Sequence, residues 1–130
     1  MAMITLWKDT EKKTLDPLLF SREAYRLALK IGNEDRNKNK GTQLRRFFDE
    51  ILRLDSLAQT RDADWDLILP RVHMVVAKVA YARGRNLVTD GFVSLMRDGI
   101  DQVRTKEDLH VFTGFLESFM GFYKMYKPNN

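Results

Sequence analysis

Five basic side chains, Arg36, Lys38, Lys40, Arg45 and Arg46, stand in a window that contains no acid and runs into an apparent helix start at Thr42. That placement is costly, because the exposed N–H groups of a first helical turn favour carboxylates and disfavour Lys and Arg. Anion binding would offset the cost, and phosphate is the anion that helix N-termini commonly hold. The N–H groups around Thr42, Gln43 and Leu44, with Lys38, Lys40, Arg45 and Arg46, therefore form a first candidate grip on a nucleic-acid backbone. A second acid-free window runs from Leu67 to Thr89 and holds Arg71, Lys78, Arg83 and Arg85. Arg71, Lys78 and Arg85 are seven apart, two turns each, so a regular helix lines them along one side with Tyr81 nearby. Contacts of this type would be indifferent to base sequence. Nothing in the chain resembles a zinc finger or the aromatic motifs of an RNA-reading sheet.

Other chemistries find little support. The two histidines, His73 and His110, have no second imidazole or carboxylate at i+3 or i+4, so they read as a half-exposed helix residue and a surface residue. Asp62, Asp64 and Asp66 imitate the opening of a calcium loop, but Leu67 stands where Gly is required and His73 where the bidentate Glu belongs. An acid-rich helix N-terminus explains the same residues through the dipole. There is no Gly-rich phosphate loop and no nucleophile elbow, and Asp49 and Glu50 are adjacent in sequence and so diverge on a helix. With no cysteine, thiolate metal sites and disulfides are excluded. The expectation is a protein that is not an enzyme, with no cofactor and no metal. An enzymatic alternative would need His73 or His110 to meet carboxylates from distant helices.

The elements that must position the cations are helical. Runs of β-branched residues alternating with polar ones are absent, and Pro and Gly fall at points suited to helix ends. The first helix is expected to start with Asp16 as N-cap and Pro17 at the first position, and to end near Ile31 with Gly32 as a left-handed cap. After the polar linker NEDRNKNKG, a second helix runs from Thr42 to about Leu57, with Leu44, Phe47, Phe48, Ile51 and Leu52 on its apolar side. A third spans about Asp64 to Arg83 through Val72, Val75, Val76, Val79 and Ala80, with Pro70 either kinking or dividing it. A fourth follows Thr89, carrying Phe92, Leu95, Met96, Ile100 and Val103, where Gly91 and Gly99 weaken the helix but allow close packing. The last opens on Thr105 and Asp108 at capping-box spacing. Its apolar residues, Leu109, Phe112, Phe115, Leu116, Phe119, Phe122 and Tyr123, cover more than one face, which suits a central or partner-contacting helix. Phe115 or Phe122 would be the residues for self-association.

The fold class is therefore all-α, a compact bundle of about five helices in a single domain over residues 1–130. Residues 1–14 and 128–130 are expected to be loose ends. A chain of 130 residues with 44% hydrophobic composition can bury one ordinary core. The net charge of +4 is mild for a nucleic-acid binder, so the distribution of charge matters more than its sum. The N-terminus has neither a signal peptide nor a membrane span, and a cytoplasmic location is expected.

Three segments resemble a known family. Thr42-Gln43-Leu44-Arg45-Arg46-Phe47-Phe48-Asp49 is similar to the signature near the second helix of the small subunit of type III-A CRISPR effector complexes. KVAYARGR, Lys78 to Arg85, is similar to that family's Lys-x-Ala-Tyr-Ala-x-x-Arg segment, and FTGFLESFMGFYK, Phe112 to Lys124, resembles its aromatic final helix. Phe48 and Phe122 stand where Tyr is more usual. The resemblance implies a non-catalytic helical subunit, present in several copies along a guide RNA and its target RNA. Its expected partners are both RNAs, copies of itself and the other effector subunits. It also implies backbone contacts from Lys40, Gln43, Arg45, Arg46, Lys78, Arg83 and Arg85. An adaptor that meets acidic protein surfaces without touching RNA remains the alternative.

Overall fold

The structure, a computed structural model, describes residues 2–127 and contains five α-helices. They are α1 (Arg22–Gly32), α2 (Gly41–Ala58), α3 (Trp65–Gly84), α4 (Asp90–Asp101) and α5 (Lys106–Tyr126), preceded by a 3-10 turn over Pro17–Phe20. Asp16 caps that turn through the Leu18 N–H with Pro17 at its first position, and Ser21 (φ −122°, ψ −78°) separates it from α1. The single first helix expected from Asp16 is thus two pieces. Gly32 is not a left-handed cap either: no described glycine has positive φ. It ends α1 with the Tyr126 ring 3.0 Å from where a Cβ would sit, so a larger residue there would press on that ring, and closeness rather than backbone freedom favours glycine. The left-handed positions fall on Lys13, Asn39 and Asn86.

Helix α5 is the central element, packed on α1 and α2 with α4 at its edge, while α2 and α3 pair and α3 carries α4. Leu109, Phe112, Phe115, Leu116, Phe119 and Tyr123 are all buried. Because Phe115 is fully enclosed, it cannot serve self-association; Phe122 is partly buried with Tyr25 edge-on at 5.4 Å. At the N-termini of α4 and α5 the capping is as expected from the sequence. Thr89 accepts from the Phe92 N–H, and Thr105 and Asp108 form a reciprocal capping box. Helix α3 continues through Pro70 without dividing, since a proline this early removes only one hydrogen bond of the ladder. In that helix Val72, Val75 and Val79 are buried as expected, whereas Ala80 faces outward.

The N-terminal segment is not loose where it is described. Ile4 and Leu6 are buried in the common core. The Met3 and Leu6 N–H groups donate to Asp98 Oδ2 and Gln102 Oε1, each at 2.9 Å, and the Trp7 indole donates to Asp108 Oδ1 at 2.8 Å. Three apolar side chains within five residues, Met3, Ile4 and Leu6, give that strap enough buried surface to outweigh its ordering entropy. The predicted loose end at 128–130 lies outside the described residues. Among the described residues, no helix is long and apolar enough to cross a membrane.

Candidate nucleic-acid interface

Helices α2 and α3 form an antiparallel hairpin, joined by residues 59–64 and closed at the open end by the Asn39 N–H donating to the Leu87 carbonyl at 3.0 Å. On α2, Gln43, Arg46, Glu50 and Arg53 recur at alternating spacings of three and four, which places them on one stripe. On α3, Arg71 and Lys78 form the matching stripe, and Arg85 continues it at the C-cap. The stripes abut: Glu50 Oε1 accepts from Arg53 Nη2 at 2.8 Å and lies 3.8 Å from Lys78 Nζ. The Arg53 hydrogen bond, and then the charges of Lys78 and Arg71, hold the Glu50 carboxyl below its ordinary range despite partial burial. Glu50 therefore stands among Arg53, Lys78 and Arg71, while Arg46 and Arg85 extend the two stripes. Arg71 also shares a cleft with Asp62 and Asp64, so the excess of positive charge lies towards the Arg46, Lys78 and Arg85 end.

The remaining candidates lie elsewhere. Arg45 and Arg46 are consecutive, so their side chains point about 100° apart around the helix. Arg45 binds Asp49 Oδ1 at 3.2 Å and sits 5.5 Å from the centre of the Phe48 ring. It lines a cleft of about 310 Å³ with Gly41, Thr42, Met120, Tyr123, Lys124 and Lys127. Lys38 and Arg83 share another cleft with Glu34, Asp35, Thr89 and Asp90, and Arg83 Nε donates to Asp90 Oδ1 at 2.6 Å. With three acids beside it, Arg83 fastens α3 to α4 more readily than it holds an anion. Lys40 is the N-cap residue of α2, exposed and without a side-chain capping bond. The N–H groups of Gln43 and Leu44 both donate to the Lys40 carbonyl. The expectation that they are free to grip a phosphate is therefore corrected, and the open amides of that turn are those of Gly41 and Thr42.

The structure brings Gln43, Arg46, Lys78 and Arg85 to one face and disperses Lys38, Lys40, Arg45 and Arg83. Arg53 escaped the sequence reading because Glu50 and Asp55 interrupt its neighbourhood, and only helical spacing would have exposed it. Asn39 also escaped notice, although a polar residue in a left-handed conformation is a signal in itself. It is wholly buried, with φ 59°. Its side chain donates to the Ile31 carbonyl at 3.1 Å and to Thr89 Oγ1 at 2.8 Å, and accepts from the Thr89 N–H at 2.9 Å. The Tyr123 hydroxyl, its pKa raised foremost by burial, donates to the Asn39 carbonyl.

His110 is exposed but not isolated. Its Nδ1 lies 3.0 Å from Oδ2 of the buried Asp55, whose Oδ1 accepts from Gln59 Nε2 at 3.1 Å. A carboxylate-oriented imidazole is part of what nucleophilic catalysis needs, but the hydroxyl one turn along, Thr113, is buried and donates to the Leu109 carbonyl. The pair ties α2 to α5. His73 is exposed on α3. Asp64 is the N-cap residue of α3 and Asp66 lies in its first turn, as the dipole argument expects. Among the described residues no cluster of His, Asp or Glu is placed to hold a metal ion.

A family model described as Csm2 Type III-A matches residues 20–129. The chain belongs to the Csm2 Type III-A family. It is accordingly a small subunit of a type III-A CRISPR-Cas complex, and membership in such a complex implies other subunits as neighbours. Nothing matches among the curated proteins or among the solved structures. The match covers all five helices and both acid-free windows, so the α2/α3 face lies within the family region.

Proposed function

We propose that this Csm2-family subunit is non-catalytic and binds the sugar–phosphate backbone of RNA, repeated in several copies along a guide RNA and its target in the cytoplasm. The observation that carries the proposal is the α2/α3 face, where Arg53, Lys78 and Arg71 surround Glu50 and Arg46 and Arg85 extend the same two stripes. Gln43 adds a neutral hydrogen-bonding group to the same stripe. Lys40 and Arg45 would contact the strand at the α2 N-terminus, with Lys38 and Arg83 at the margin. Such a surface neutralises phosphates without reading bases, and specificity would rest on pairing between guide and target, as in another RNA-guided effector.

The test is a fluorescence titration of a labelled RNA with the wild-type chain, an Arg46→Glu/Lys78→Glu variant and an Arg45→Glu variant. The double variant should lose nearly all binding at low salt. Arg45→Glu, on another side of α2, should lose less, and wild-type affinity should fall steeply as salt rises. Equal binding by wild type and the double variant would overturn the assignment. Absence of RNA binding at any salt, with retention of other effector subunits, would make the subunit a protein adaptor.

A further inference from the structure

Helix α3 leaves three large side chains in solvent at heptad spacing: Leu67 is 67% exposed, Met74 57% and Tyr81 68%. Each is followed four residues later by a cation, Arg71, Lys78 and Arg85. At 1.5 Å rise per residue, Tyr81 stands about 4.5 Å along the axis from Lys78 and about 6 Å from Arg85. The Arg85 guanidinium lies 5.9 Å from the centre of the Tyr81 ring. The ring is thus held in a cationic setting while most of its surface is open to water.

Resting on the nucleic-acid reading above, we propose that Tyr81, with Arg85, is a stacking platform for an unpaired base. The α3 face would accordingly distinguish nucleic acid with splayed bases from closed duplex. Charge complementarity selects this occupant. A strand offers phosphates to Lys78 and Arg85 and a flat apolar ring to Tyr81 between them, and the stack tolerates any base because every base has a π-face. A second copy docking through the same face would oppose cation to cation. A helical partner would find its apolar seam broken by a charge at every second contact position, because Arg71, Lys78 and Arg85 alternate with Leu67, Met74 and Tyr81.

The experiment compares the full chain with Tyr81→Ala and Tyr81→Phe. The ligands are a single-stranded RNA carrying one 2-aminopurine and a duplex RNA with the same number of phosphates. Wild type should quench the 2-aminopurine. Tyr81→Ala should lose quenching and weaken single-strand binding on the order of tenfold, leave duplex binding unchanged and keep the wild-type melting temperature. Tyr81→Phe should behave as wild type, because the ring and not the hydroxyl stacks. Wild-type single-strand affinity in Tyr81→Ala overturns this inference alone, as does a loss shared equally by duplex or by Tyr81→Phe. If wild type binds neither RNA, both this inference and the backbone reading fall. If other effector subunits are then retained only while Tyr81 is present, the face belongs to a protein.

Discussion

Asn39 holds a backbone conformation that few residues tolerate and fills a buried position with a side chain that is fully hydrogen-bonded. Replacing it by Ala would strand the Thr89 N–H and take one of the Ile31 carbonyl's hydrogen bonds, leaving that from the Glu34 N–H, while keeping the unfavourable φ. Asn39→Ala is therefore expected to cost about 2–4 kcal/mol in urea unfolding. Asp108 offers a second single-residue test. Burial pushes its carboxyl up, but the Arg104 and Thr105 N–H groups and the Trp7 indole outweigh this and hold it below the ordinary carboxylate value. A carboxyl lowered on folding contributes stability that is present above its unfolded pKa of about 3.9 and is lost as pH falls through the folded value. The melting temperature should drop below about pH 4, and Asp108→Asn, which cannot titrate, should flatten that acid limb while lowering stability at neutral pH.

Among the helices, the close crossing of α4 and α5 depends on Gly99, where an added Cβ would overlap the Phe112 ring, itself fully buried. Gly99→Ala gains helix propensity but forces that ring aside, so a net loss of about 1–3 kcal/mol is expected by thermal or urea unfolding. Most helices, N-caps and core stripes were legible because spacing and capping chemistry act locally, although Gly32 is no left-handed cap and Leu52, expected on the apolar side of α2, is exposed. The Thr105–Asp108 box and the valines of α3 needed nothing from the rest of the chain. The break at Ser21 was not legible, because Asp16-Pro17 is an equally good start for a 3-10 turn and for a helix. The site was only half legible for a related reason. Counting charges along the chain found the acid-free windows, but Arg45 and Arg46 look alike in sequence and diverge in space, and Arg83 meets Asp90 only after α4 folds back.

For the whole molecule, the N-terminal strap is the least local feature: Met3 and Leu6 reach Asp98 and Gln102, more than ninety residues away. Deleting residues 1–7 would remove the buried side chains of Ile4 and Leu6, each contributing about 1.5–3 kcal/mol. The truncated chain should unfold at markedly lower urea concentration, although RNA affinity measured well below that midpoint should be unchanged, because the strap packs away from the α2/α3 face.

The clasp between Asn39 and Leu87 has one more consequence. It sits at the mouth of the hairpin, opposite the turn at 59–64, so neither end of the α2/α3 pair can splay. The intervals between Arg46, Lys78 and Arg85 are thereby set before any ligand arrives, and a docking strand meets a fixed ruler instead of a surface that must be organised around it. Most of the entropy lost on association would then come from the polyanion, and loosening either end, by lengthening the 59–64 turn or by disrupting the Asn39 clasp, should weaken affinity in the same fluorescence titration.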